Sequence, residues 1–194
     1  MPPAADRGRF RELLDRYGFE FIARIFTAGD ALDGHLESFR RQLAEAQGLR
    51  PRLVNSHSGL DACTESESER FFAVALDIAS RMGAAVAHET HRGRVLFNPW
   101  VTRRLLARLE GLRLCCDFSH WVSVAERLLD DQIEVLRQYA ARCDHLHARV
   151  GYEQGPQVPD PRAPEYQPHL EAPTNAGGAW SGTPRKPMGT QKPP

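Results

Sequence analysis

The sequence predicts an α/β protein built on a parallel sheet of the barrel type. Two observations carry that expectation. From residue 9 to about residue 150, short strand-like apolar runs alternate with helix-like amphipathic segments, a pattern that predicts parallel strands joined by right-handed crossovers. The polar residues that end successive runs, Thr27, His57, Glu89, Asp117 and His147, are spaced by 30, 32, 28 and 30 residues. Units of that size suit a (β/α) barrel, in which eight of them total about 250 residues. A doubly wound open sheet is the competing architecture. No G-x-G-x-x-G follows any strand-like run, which weakens its dinucleotide-binding version.

In chain order, "RFRELLDRYG" (9–18) reads as a helix stopped by Gly18. Strand-like runs follow at 19–27, 52–58, 84–90, 112–120 and 144–150, with helix-like segments at 30–47, 64–82, 99–109 and 121–141. The segment at 64–82 opens with "TESESER", whose acids favour a helix N-terminus. The segment at 99–109 opens with Asn98-Pro99, a cap followed by a proline in the first turn. Past residue 150 the chain becomes rich in Pro, Gly and Thr, and from about residue 172 it has almost nothing to bury. The expected organisation is one domain over 1–171 and a disordered low-complexity tail over 172–194.

Bulk composition narrows the function classes. The 194 residues are 41% hydrophobic and carry 25 basic against 25 acidic side chains, an ordinary soluble balance with enough apolar material for one core. Zero net charge supplies no field that would gather nucleic acid or an anionic membrane, so neither is an expected partner. No apolar run approaches the ~20 residues of a membrane span, and "MPPAADRGRF" lacks the apolar stretch of a secretory signal. The four cysteines show no C-x-x-C spacing, which favours reduced thiols in a cytoplasmic protein. Cys115 and Cys116 read as buried packing residues.

The chemistry gathers at the strand ends, where parallel α/β folds place their sites. Asn55 and His57, His88, Glu89 and His91, Asp117 and His120, and His145, His147 and Arg149 all fall there, including six of the eight histidines. Unpaired charge at one rim is costly, and a divalent cation offsets it. Carboxylate oxygen and imidazole nitrogen are suitable ligands for Mn, Mg, Co or Zn. Each residue also has a plain structural reading. Glu89 can be an ion-paired rim residue, and Asp117 can cap the helix entered at Asp-Phe-Ser-His. His145 and His147, two apart, share a strand face. His91, Arg92 and Arg94 form the loop beyond Glu89, where substrate oxygens would arrive.

The runs "AVAHETHRGRVLFNPW", "LCCDFSHW" and "DHLHARVG" followed by "GPQVPDPRAPEY" resemble the sugar phosphate isomerases/epimerases with a xylose isomerase-like TIM barrel, over about residues 9–171. The likeness is most specific at Asp117-Phe-Ser-His120 and at His145-x-His147. It implies a partial TIM barrel, about strands two to six, because no segment matches the family's strands one, seven and eight. It also implies that Glu89, Asp117 and His147 ligate a divalent metal, with Glu89 also serving as a catalytic acid/base. His145 stands as an alternative to His147. His57, His120, His145 and Arg149 would then meet a small sugar or sugar phosphate. The implied reaction is aldose–ketose isomerisation or epimerisation, by proton transfer through an enediolate. The family's second acid/base, a glutamate on strand eight, has no counterpart in this sequence. A catalytically inactive remnant that acts as an interaction or assembly partner is therefore the alternative reading. Open barrel edges would invite homo-oligomers. A metal-dependent nuclease of similar barrel architecture is a weaker reading, for want of a basic groove.

Overall fold

The computed structural model describes residues 1–172 of the chain. The tail expected to be disordered lies, from residue 173 on, outside the described residues. A first helix, α1 (Arg7–Tyr17), ends on Gly18, whose left-handed φ of 65° any side chain would strain. Five strands follow: β1 (Ile22–Phe26), β2 (Leu53–His57), β3 (Val86–Glu89), β4 (Leu114–Cys116) and β5 (Cys143–Leu146). The helices between and after them are α2 (Leu32–Gln47), α3 (Glu65–Arg81), α4 (Pro99–Arg108), α5 (Phe118–Ala125), α6 (Ile133–Ala140) and α7 (Gln167–Glu171).

The cap expected at Asn98 is present, and the helix start expected at 64–82 carries a capping box not named among the sequence-based expectations. Thr64 forms a reciprocal capping box with Glu67, and Asn98 Oδ1 accepts from the Val101 N–H at 2.8 Å, one residue before Pro99. The span expected as one helix over 121–141 is instead two. Helix α5 starts at Phe118 and stops where Glu126 turns left-handed, with φ 52°, and α6 begins only after a turn that buries Leu129. The last strand is shorter than the expected 144–150, so His147 and Arg149 lie beyond it. Helix α7 arises in a Pro-rich stretch where the sequence predicts none, with Pro168 tolerated in its first turn.

All four strand pairings are parallel, and the sheet order is β1-β2-β3-β4-β5. This monotonic order decides between the two architectures, because a doubly wound sheet reverses direction partway and is covered by helices on both faces. Here one face meets the helices. Ala23, Ile25, Val54, Val86, Leu114 and Cys116 point to that side and join Phe39, Phe71, Phe72, Leu105, Trp121 and Tyr139 in the main core. Each large side chain buried there contributes roughly 1.5–3 kcal/mol. The opposite face holds only a small apolar cluster of Leu53, Ala87 and Cys115. The molecule is therefore a partial (β/α) barrel whose inner face is polar. The β1 end is edged by exposed apolar groups, Tyr17, Phe19, Ile22 and Phe26 among them. Among the described residues no helix is long and apolar enough to cross a membrane.

Candidate active site

Strand periodicity sends alternate residues to the inner face, and that parity builds the site. Asn55 and His57 on β2, Ala87 and Glu89 on β3, and Cys115 on β4 share the face, with Asp117 directly after β4 and His147 directly after β5. Glu89 and Asp117 are 2% and 0% exposed, so neither is a solvated rim acid.

Glu89 Oε2 accepts from Asn55 Nδ2 at 2.5 Å and lies 2.8 Å from His57 Nε2. The His57 contact lacks the alignment of a hydrogen bond. That nitrogen therefore stays an unpartnered buried polar atom among the described residues, as do Asn55 Oδ1 and His120 Nδ1. Asp117 does not cap α5 with its side chain. Its Oδ1 accepts from Ser119 Oγ at 2.5 Å, its Oδ2 accepts from Arg149 Nε at 2.9 Å, and its own N–H donates to Thr90 Oγ1 at 2.7 Å. His147 Nδ1 stands between the two acids, 3.6 Å from Glu89 Oε1 and 3.5 Å from Asp117 Oδ2.

Electrostatics follow from that placement. Burial works to raise the Glu89 carboxyl, but His147, His57 and Asn55 outweigh it and hold the group well below the usual carboxylate range. Asp117 is likewise held low by His147, Arg149 and Ser119 against the effect of burial. Facing Asp117, Cys115 and Glu89, the His147 imidazole is pushed up to about 12. His147 is thus a cation placed between two buried anions. Burial lowers His120 to about 4, with nearby Asp117 opposing, so its ring is neutral at physiological pH.

The sequence-predicted residues meet, with some differences in role. Donor atoms of Glu89, Asp117 and His120 lie within 4.8 Å of one another, as do those of His57, Glu89 and His91. His120 therefore competes with His147 for the third place beside the two carboxylates. Arg149, expected to meet a substrate, is committed to Asp117 and also approaches His120 Nε2 at 2.6 Å. Of His91, Arg92 and Arg94 in the loop after Glu89, His91 turns into the site, its ring 3.8 Å from that of His120 and 4.5 Å from that of His57. Arg94 instead donates to Thr27 O and Gly59 O at 2.9 and 3.1 Å, tying the loops after β1, β2 and β3 together. Asn55, Thr90 and Ser119 were not singled out for these roles by sequence. Only Asn55 carried a signal, being two residues before His57 on the same face. His145 lies on β5 beside Cys115 and is grouped with Cys115 and His147 rather than with a carboxylate.

Neither a protein-family model nor a curated protein matches the sequence. Solved structures do match. A D-tagatose 3-epimerase-like protein aligns at 16% identity with TM-score 0.64, covering 87% of this chain and 72% of that one. Endonuclease IV from Thermus thermophilus aligns at 16% identity with TM-score 0.60, covering 90% and 72%. A xylose isomerase domain protein from Planctomyces limnophilus aligns at 16% identity with TM-score 0.59, covering 88% and 73%. Across the matched structures the chain spans 56% to 73% of the other chain's length. Likeness at these identities is likeness of fold. The chain has the xylose isomerase-like TIM-barrel fold, in the part of it made by five consecutive parallel strands.

Proposed function

We propose that residues 1–171 act as one sugar isomerase/epimerase-like unit that binds a divalent metal and a small sugar or polyol, with Glu89 moving a proton next to a carbonyl. The observation that carries this reading is the pair of fully buried carboxylates, Glu89 and Asp117, with His147 between them and Arg149 paired to Asp117 alone. Burying two anions is costly without a partner of opposite charge, and a divalent ion is a stronger partner than one imidazolium.

The donor set fits such an ion. Two carboxylates are joined by imidazoles, with His57 Nε2 2.8 Å from Glu89, and the unpartnered His120 Nδ1 is buried at the same mouth. Glu89 and Asp117 would hold the metal, with His147 or His120 as the third ligand. When bound, the ion supplies Lewis-acid polarisation of a carbonyl oxygen. This chain's own residues would do the rest. Glu89 accepts and returns a proton at one carboxylate oxygen while Asn55 fixes its orientation. Arg149 positions Asp117, and the neutral His120 and His91 rings offer nitrogen donors or acceptors to substrate hydroxyls. The tagatose-epimerase-like neighbour of the same fold agrees with a sugar as the ligand class.

The test is proton exchange. Ketoses incubated in deuterium oxide with Mn2+ or Mg2+ are expected to take up carbon-bound deuterium, and Glu89→Gln is expected to abolish that uptake. Absence of exchange for every ketose, together with a melting temperature indifferent to metal, would sink the proposal. One observation favours a non-catalytic partner protein as the second reading. Among the described residues, the clusters able to hold a metal contain no carboxylate besides Glu89 and Asp117, and Arg149 already occupies Asp117. Metal-dependent stabilisation without exchange would select that reading.

A further inference from the structure

One layer below Glu89 and Asp117, the inner face carries a donor set of a different chemical kind. Cys115 precedes Asp117 by two residues on β4, and His145 precedes His147 by two at the end of β5. Strand parity therefore turns Cys115 and His145 to the same inner face. An irregularity in the β4–β5 pairing, between Leu114 and Cys115, sets Cys115 opposite His145 rather than opposite Asp144. Without that shift the exposed Asp144, which pairs with Arg113, would hold the place. The Cys115 sulfur and one ring nitrogen each from His145 and His147 lie within 4.8 Å of one another. The two rings stand nearly perpendicular, with centroids 5.1 Å apart. Among the described residues, no hydrogen bond ties down the ring of His145.

We infer that Cys115, His145 and His147 form a second metal site, suited to a borderline-soft divalent ion such as zinc or cobalt. Thiolate with two imidazoles, leaving one position open, is a ligand set that selects zinc or cobalt over manganese or magnesium. A tetrahedral ion with ordinary Zn–S and Zn–N bonds spaces its donors by roughly 3.5 Å, so closing the set takes side-chain movement of about 1 Å. The half-buried imidazoles have room for that, while Cys115, fully buried beside Leu53 and Ala87, supplies a rigid anchor. The inference stands apart from the function proposed above, although His147 belongs to both donor sets. Ion identity would then choose the layer. Oxygen-preferring ions go to the carboxylates, whereas a thiolate-preferring ion draws His147 away from them, and zinc would oppose whatever the upper layer does.

Cobalt titration of the full chain under reducing conditions tests this. The expected result is a saturable thiolate-to-cobalt charge-transfer band in the near ultraviolet. That band should disappear in Cys115→Ser and persist in Glu89→Gln. His145→Ala, at a half-buried position, should weaken cobalt binding by roughly tenfold or more. Circular dichroism shows whether each variant is folded, and His145→Ala decides the matter if Cys115→Ser is not. Cobalt binding without the band, a band that survives Cys115→Ser, or a band indifferent to His145→Ala overturns the site. Failure of this site leaves the carboxylate reading intact if Mn2+ still raises the melting temperature and Glu89→Gln removes that rise. Loss of both responses removes both readings.

Discussion

The two faces of the sheet obey opposite rules. Toward the helices, β-strand side chains meet aromatic and aliphatic partners, and the one histidine there, His88, is satisfied at Nδ1 while its buried Nε2 has no hydrogen-bond partner among the described residues. Its Nδ1 lies 2.6 Å from Ser58 Oγ and its ring packs between Phe39 and Phe72. Toward the barrel axis, only Leu53, Ala87 and Cys115 make an apolar cluster, and above them stand Glu89, Asp117, His57, His120 and His147. One face is arranged for stability. The other concentrates buried charge that apolar residues would replace at lower cost, and it is there that the proposed function places its chemistry.

That contrast can be broken from the outer face first. Phe72→Ala is expected to cost about 3–5 kcal/mol and to unfold much of the population, because the emptied site lies where α3 meets the sheet. Urea denaturation measures it, and a loss under 1 kcal/mol would show that the helix layer is not the main source of stability. The inner face should behave differently. Glu89→Gln is expected to lower the midpoint in chelator, because it removes a buried partner of His147, and in addition to forfeit the metal-dependent gain, about 2.7 kcal/mol when the ion is present at a hundredfold excess over its Kd. A thermal shift that survives the substitution would move the ion away from Glu89.

Acid sensitivity samples both faces. Burial lowers His88 to about 3 and His120 to about 4, both below the usual histidine range near 6.5. In that window the unfolded chain binds protons that the native state does not, so stability should fall as pH drops from about 6.5 toward 4. Substituting His88 by Met should make that slope shallower by about one proton. An unchanged slope would mean that His88 is already charged in the fold. The raised His147 works in the other direction. Its contribution is full below about 6.5 and is lost as pH climbs toward about 12, so metal uptake at the carboxylates near neutrality should release a proton. Calorimetry in buffers of different ionisation enthalpy measures that release, and a buffer-independent heat would contradict it. The smallest effect belongs to the N-terminus of α4. Asn98→Ala should cost about 1 kcal/mol and leave metal binding untouched.

Much of this was legible in the chain because it is local. Strand parity places His57 and Glu89 on one face whatever surrounds them. The 28- to 32-residue unit returns each strand end to the same rim, and Asn98 caps its helix within a span of three residues. The helix break at Glu126 was not legible, since "WVSVAERLLDDQIEVLRQYA" keeps a helical apolar pattern across it. There the burial of Leu129 overrode the local pattern.

By itself, then, the sequence determined the order of elements, the parallel barrel-type sheet and the set of titratable residues carried to its mouth. Tertiary structure alone decided how those residues are shared out. It gave Asp117 to Arg149, placed His147 between two acids, and set Cys115 beside His145 through an irregular register. The physical reason is distance along the chain. Partners about 30 residues apart meet only when neighbouring strands are paired in one register. A shift of a single residue exchanges which side chain faces the site.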